Sequence, residues 1–139
     1  MDVDKLLKVL DNEDNSHLLD LTNKKISNIK INILKELELP HAKLMDFLKK
    51  LKNYRYVDEM NELSYGAFIR YIPITDPGII ELKKGAIFCE FKVTDNGVFV
   101  ICKNFVNKYY QFKMDENLIF QKITDQEQVL LSALDHLAK

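Results

Sequence analysis

Residues 86–103 have the sequence AIFCEFKVTDNGVFVICK, which is two runs of β-branched and aromatic residues around Asp95-Asn96-Gly97. Such runs favour strands. An Asn-Gly pair favours a two-residue type I′ turn, because both corner positions of that turn need positive φ. The stretch therefore predicts an antiparallel hairpin with strands at 86–93 and 98–103. With Asn96 and Gly97 at the corners, Phe91 faces Cys102.

Further strands are predicted on both sides of this hairpin. Residues 67–72, 108–113 and 118–123 are rich in β-branched and aromatic residues. Asp76-Pro77-Gly78 is a turn in which proline fixes the first corner and glycine accepts positive φ at the second. Five short strands joined by tight turns predict a small five-stranded antiparallel sheet, or an SH3-like barrel, at about residues 65–123.

The rest of the chain has the apolar spacing of helices. A stripe from Val3 to Leu10 predicts a short first helix, and Thr22 precedes a second stripe from Ile26 to Leu37. Pro40 separates it from a third helix that ends near Leu51. The segment 124–127, Thr-Asp-Gln-Glu, is a capping box for a C-terminal helix at about 125–138.

These elements predict an α+β fold with two regions. Residues 1–53 form a helical region, in which the helices on either side of Pro40 have the order of a helix-turn-helix or of an ordinary helical hairpin. Residues 54–139 hold the β unit and the C-terminal helix. The pattern leaves open whether the two regions share one core.

Charge is distributed unevenly along a chain of 139 residues whose formal net charge is −1. Residues 1–20 are acidic, residues 21–56 contain nine basic and three acidic residues, and residues 57–139 are again acidic. The opening Met1-Asp2 does not begin a signal-peptide pattern, and no apolar run has bilayer length. With only two cysteines, Cys89 and Cys102, these features predict an intracellular protein outside the membrane with reduced thiols.

No motif for chemistry is evident. The histidines, His17, His41 and His136, stand apart from other metal-ligand residues, and the four glycines form no phosphate loop. The sequence therefore predicts no metal, no cofactor and no catalysis. An enzyme whose active site leaves no trace in the sequence is one alternative hypothesis.

Two sets of residues are candidates for binding. The basic helices at 24–55 place lysines where they would meet phosphates of nucleic acid, or would be an ordinary solvated surface. Five residues carry the nucleic-acid hypothesis: Lys43, Lys49, Lys50, Lys52 and Arg55. In the β unit there are more aromatic residues than one face of a small sheet can bury, so some cover a partner, stacked bases or the chain's own helices. The candidates for a partner surface are Phe68, Phe88, Phe99 and Tyr110.

The leading hypothesis from these features is a non-catalytic binding or scaffolding module that acts through protein–protein contacts, with a protein partner or a second copy of the chain. Nucleic-acid binding through residues 24–55 is the alternative.

Four stretches, at 52–59, 66–72, 82–88 and 117–122, also occur in a familiar order. Together they resemble small uncharacterised proteins of nucleocytoplasmic large DNA viruses, over roughly residues 30–137. The resemblance implies a viral protein of the host cytoplasm, in a viral factory or a virion. It implies no active-site residues.

Overall fold

The computed structural model describes residues 22–137, and the helix expected from Val3 to Leu10 lies outside them. Within this range the chain forms three α-helices and one six-stranded antiparallel sheet, which confirms the α+β class. The helices are α1 (Asn23–Lys35), α2 (His41–Lys50) and α3 (Asp125–Leu137). The strands are β1 (Tyr54–Val57), β2 (Phe68–Pro73), β3 (Ala86–Thr94), β4 (Gly97–Lys103), β5 (Tyr109–Lys113) and β6 (Asn117–Lys122).

The chain divides into two compact units. Of the described residues, the first combines 22–38 with 123–137 and holds α1 and α3; the second is residues 39–122 and holds α2 and the whole sheet. The boundary predicted between residues 53 and 54 therefore falls inside the second unit. Because α1 and α2 belong to different units, the helix-turn-helix interpretation stays a prediction.

Hydrogen bonds to helix N-termini organise the first unit. Thr22 Oγ1 accepts a bond from the Lys25 N–H (3.2 Å), as expected for an N-cap. Asp135, near the end of α3, accepts bonds from the backbone and side-chain N–H groups of Asn23 at 2.9 and 2.7 Å. At the start of α3, Thr124 Oγ1 accepts a bond from the Glu127 N–H (3.1 Å). This bond is the half of the predicted capping box in which the threonine side chain accepts, and it is confirmed. Acceptors at these positions satisfy donors that a helix leaves unpaired.

The sheet has six strands instead of the predicted five. The additional strand, β1, pairs with β6, and Tyr56 lies opposite Phe120. β1 has only four residues and includes a buried Arg55, so it lacks the apolar alternation that marks a strand in a sequence. In the order β1-β6-β2-β3-β4-β5, strands β1 and β5 are edges. The sheet is therefore open, whereas a barrel would pair its first and last strands.

One face of the sheet carries the main core cluster of the second unit, and Ile72, Leu118 and Phe120 are buried on the other face of β2 and β6. The eight buried residues of this core are Val57, Leu63, Ile69, Ala86, Phe88, Val100, Cys102 and Ile119. The register shifts between Phe88 and Glu90, where Cys89 is the extra residue of a β-bulge. Since side chains alternate along a strand, the bulge puts Phe88 and Phe91 on the same face, and their rings lie 4.7 Å apart.

The turn between β3 and β4 differs from the predicted type I′ turn. Thr94 pairs with Gly97, so the corner residues are Asp95 and Asn96. Gly97 has a φ of 124°, and the only non-glycine residues with positive φ in 22–137 are Glu38 and Asn107. A type I′ turn would require positive φ at both corners. Thr94 Oγ1 accepts a bond from the Asn96 N–H (3.2 Å) and donates one to the Gly97 carbonyl (3.1 Å), which stabilises the turn that forms.

This turn moves the register of the whole hairpin. Phe91 faces Val100, and Cys102 faces Phe88. The predicted pairing of Phe91 with Cys102 is therefore wrong. The shift follows from the turn, which begins one residue earlier than an Asn-Gly type I′ turn, and from the bulge at Cys89.

We expect Gly97→Ala to lower the free energy of unfolding by about 1–3 kcal/mol, because alanine would be strained at this positive φ. A Cβ at Gly97 would also lie 2.8 Å from Lys113 Cε, but that flexible side chain can move away. Urea unfolding followed by circular dichroism measures the loss. Gly85→Ala is the control, since its Cβ would meet Ile69 O at an ordinary 3.5 Å. Equal losses in the two variants would contradict the strain argument.

Candidate binding surface on the sheet

The lysines of the predicted nucleic-acid surface lie on and just after α2. Lys49, Lys50 and Lys52 are exposed. Lys50 Nζ lies 2.9 Å from Asp46 Oδ2, and the Nζ of the half-buried Lys43 lies 5.9 Å from the centre of the Phe47 ring. Exposed lysines at the end of a helix complement the helix dipole whether or not a ligand is present.

Arg55 does not belong to that surface. Its side chain is 1% exposed. Its Nη2 donates a hydrogen bond to the Glu62 carbonyl (2.8 Å), and Nη1 lies 3.8 Å from Glu62 Oε2. Arg55 and Val57 are the two buried residues of β1, so the alternation of the strand turns the guanidinium away from solvent. In this position it cannot reach a phosphate.

The four aromatic candidates divide between the two faces of the sheet. Phe88 is fully buried in the core, and Tyr110 packs against the core with its ring 6.3 Å from that of Tyr71. Burial, followed by the effect of Tyr71, raises the pKa of the Tyr110 hydroxyl. Phe68 and Phe99 lie on the opposite face. Of the predicted set, only these two are placed where a ligand could reach them.

Phe68 and Phe99 belong to a larger surface that we call the outer patch. Directly opposed residues of neighbouring strands point to the same face, and one such row runs from Phe68 through Ile87 and Lys103 to Tyr109. A second row joins Lys92, Phe99 and Lys113, and a third joins Glu90, Ile101 and Gln111. We define the outer patch as these ten residues together with Lys122, whose Nζ lies 5.7 Å from the Phe68 ring centre.

Two of the three aromatic side chains of the outer patch are exposed to solvent, and the third, Phe99, is half-buried. Tyr109 is 67% exposed and Phe68 is 40% exposed. Phe105, in the turn after β4, is 71% exposed, and its ring centre lies 6.0 Å from that of Phe68. Tyr109 is not among the candidates that the sequence predicts. The alternation of β5 could have identified it only if the core face had been known.

The outer patch is positively charged, with four lysines and one glutamate, Glu90. Lys113 Nζ lies 3.9 Å from Glu116 Oε1, at the limit of an ion pair. Lys92 and Lys103 form no ion pair within the described part of the chain. An anionic ligand would therefore be attracted to this face of the sheet.

Other chemical features of the second unit lie away from this surface. Burial, with a smaller effect of Cys89, raises the pKa of the Cys102 thiol to about 12, so this cysteine is a poor nucleophile. Both cysteines are free thiols. One cavity of about 550 Å³ is lined by residues that include Tyr56, Ile74 and Met114.

Histidines and carboxylates do not converge on a metal site in the described residues. His41 and His136 are exposed, and His17 lies outside residues 22–137. No three histidine, cysteine or acidic residues of the described chain lie close enough together to hold a metal ion.

Comparison of the chain with protein-family models, with curated proteins and with solved structures found no match. No helix within residues 22–137 has the length and apolar character needed to cross a bilayer. The outer patch is therefore interpreted from its own residues.

Proposed function

We propose that this chain is a non-catalytic binding module and that the outer patch is its binding surface. The observation that carries the proposal is the combination of exposed aromatic rings with lysines on one face of an ordered sheet. Exposed apolar patches on a soluble domain commonly mark interaction sites. The opposite face supplies the main core cluster, whereas Phe68 and Tyr109 are exposed on this face, so these two rings are available to a ligand.

The energetics support a role in binding for the exposed rings. Burial of apolar surface is worth roughly 25 cal/mol per Å², and a ring left in solvent contributes little of this to folding. Tyr109 and Phe105 are mostly exposed, so the free energy of burying these rings would be gained when a ligand covers them. A phenylalanine or tyrosine also presents a flat surface at a low cost in side-chain entropy.

The type of partner predicted from the sequence remains a hypothesis. A protein partner or a second copy of the chain would suit β5, an edge strand that offers unpaired backbone groups for strand addition. Nucleic-acid binding by the helical lysines, an enzymatic activity and a place in a viral factory or virion also remain predictions.

The anionic aromatic dye ANS (8-anilinonaphthalene-1-sulfonate) tests the surface without assuming a ligand. We expect ANS to bind the folded chain and Tyr109→Ser to weaken that binding roughly threefold, since one aromatic contact is worth about 0.5–1.5 kcal/mol. Fluorescence titration measures the change. Ile79→Ser is the matched control, because Ile79 is an exposed apolar residue outside the outer patch. Equal binding by Tyr109→Ser and the unchanged chain would contradict the proposal.

A further inference from the structure

We propose that the ligand of the outer patch is single-stranded nucleic acid, with bases stacked on its aromatic rings and phosphates held by its lysines. This inference rests on the proposed function, because it requires the outer patch to be a ligand surface. It assigns nucleic-acid binding to the sheet, with the sheet's own lysines as the phosphate contacts in place of the lysines at 24–55.

The first support is that each of the three aromatic rings of the outer patch has a lysine beside it. Lys92 and Lys113 lie directly opposite Phe99 on the two neighbouring strands. Lys103 lies opposite Tyr109, and Lys122 is within cation–π distance of Phe68. A nucleotide presents a flat base and an anionic phosphate together, so a ring paired with a cation matches its chemistry. An apolar peptide would contact the rings, but it would have no anionic group for the lysine beside each ring to bind.

The second support is the spacing of the rings. Phe68 and Tyr109 stand at the two ends of one row, three strand steps or about 14 Å apart. Phe99 lies four residues from Lys103 along β4, about 13 Å from that row. Rings at such distances can each take a different base of an extended strand. They give little sequence preference, because every base has a face that stacks.

The third support excludes a duplex as the preferred ligand. In a double helix the bases are stacked on one another, so their faces cannot meet Phe68, Phe99 or Tyr109. The outer patch also places its lysines beside aromatic rings, and a phosphate backbone alone would make no stacking contact with these rings. A single strand can use both kinds of residue.

Fluorescence anisotropy tests the inference with the full chain and a fluorescein-labelled, mixed-sequence DNA strand of roughly 12 nucleotides. We expect the strand to bind at least about tenfold more tightly than the same sequence as a duplex. Tyr109→Ala should weaken strand binding at least about fivefold, as expected for the loss of one stacked base. The logarithm of the binding constant falls linearly with the logarithm of the salt concentration, and we call the steepness of this fall the salt slope. Replacing Lys92, Lys103 and Lys113 together by glutamine should lower the salt slope by about 2, because each phosphate contact on a single strand contributes about 0.7.

The control removes the same charge from the other candidate surface. Lys49, Lys50 and Lys52 are replaced together by glutamine, and each triple variant then loses a lysine that lies near a carboxylate, Lys50 beside Asp46 or Lys113 beside Glu116. We expect the helical variant to keep the affinity and salt slope of the unchanged chain. Circular dichroism confirms that both variants are folded before binding is compared.

Three outcomes would overturn the inference. Equal loss in the two triple variants would mean that net charge, and not the outer patch, determines binding. Duplex binding as tight as strand binding would exclude base stacking. A failure to bind the strand at about 50 mM salt, together with ANS binding that depends on Tyr109, would assign the patch to another ligand such as a protein and leave the proposed function intact.

Discussion

Replacing Phe88 with alanine is expected to lower the free energy of unfolding by about 3–5 kcal/mol. Phe88 is fully buried, and its ring lies 4.7 Å from that of Phe91 and 5.4 Å from that of Tyr65. Alanine would lose the apolar burial of the ring and leave a cavity in the core beside Cys102. Urea denaturation followed by circular dichroism measures the change.

Two further variants keep this prediction testable if Phe88→Ala does not fold. Phe88→Leu keeps much of the side-chain volume, so this variant should fold, and its free energy of unfolding should fall by less than about 2 kcal/mol. Phe105→Ala removes a ring that is mostly exposed and should change stability by less than about 0.5 kcal/mol. A Phe88→Ala protein as stable as Phe105→Ala would mean that Phe88 is not in the core and would restore it as a candidate for partner binding.

The hairpin shows how far local sequence predicts this fold. The two strands around Asp95-Asn96-Gly97 follow from residue type alone, and the structure places strands there. The register does not follow, because the Thr94 hydroxyl favours one turn over another and a bulge at Cys89 shifts the pairing again. Each shift moves side chains relative to their neighbours, so a correct strand prediction still gave a wrong pair for Cys102.

The order of the strands depends on contacts that sequence patterns do not contain. β6 lies between β1 and β2, so Phe120 pairs with Tyr56 and with Arg70, which are distant in the chain. Without this pairing β1 has no partner, and a four-residue run is too short to predict as a strand. The same long-range pairing brings Lys122 to Phe68, which explains why the outer patch could not be assembled from sequence.

The candidate site was predicted in part because both faces of the sheet carry aromatic residues. Alternation identified Phe68 and Phe99 as members of one surface, but it placed Phe88 and Tyr110 with them. The bulge at Cys89 reverses the alternation within β3, so Phe88 faces the core while Glu90 lies on the outer patch. A sequence that is apolar on both faces does not say which face is covered.

We expect Arg55→Ala to lower the free energy of unfolding by about 2–4 kcal/mol, because it removes a long buried side chain and separates the guanidinium from Glu62. The Glu62 carbonyl would lose a hydrogen bond of 2.8 Å, and a cavity would remain beside the strand pair β1–β6. Arg55→Met should recover part of the loss, since methionine replaces the apolar stem of arginine. Lys49→Ala is the control and should change stability by less than about 0.5 kcal/mol, because Lys49 is exposed.

The same variants separate the two roles that Arg55 could have. If Arg55 maintains the fold, Arg55→Met should bind single-stranded DNA as the unchanged chain does, although it is less stable. A ligand role for Arg55 would give the opposite result, with stability retained and binding weakened at least about fivefold, since a hydrogen bond to a charged group is worth about 1.5–3 kcal/mol. Because the guanidinium lies inside the second unit and contacts Glu62, we expect loss of stability without loss of affinity. That result would leave the lysines of the outer patch and those of α2 as the cations to test for phosphate contacts.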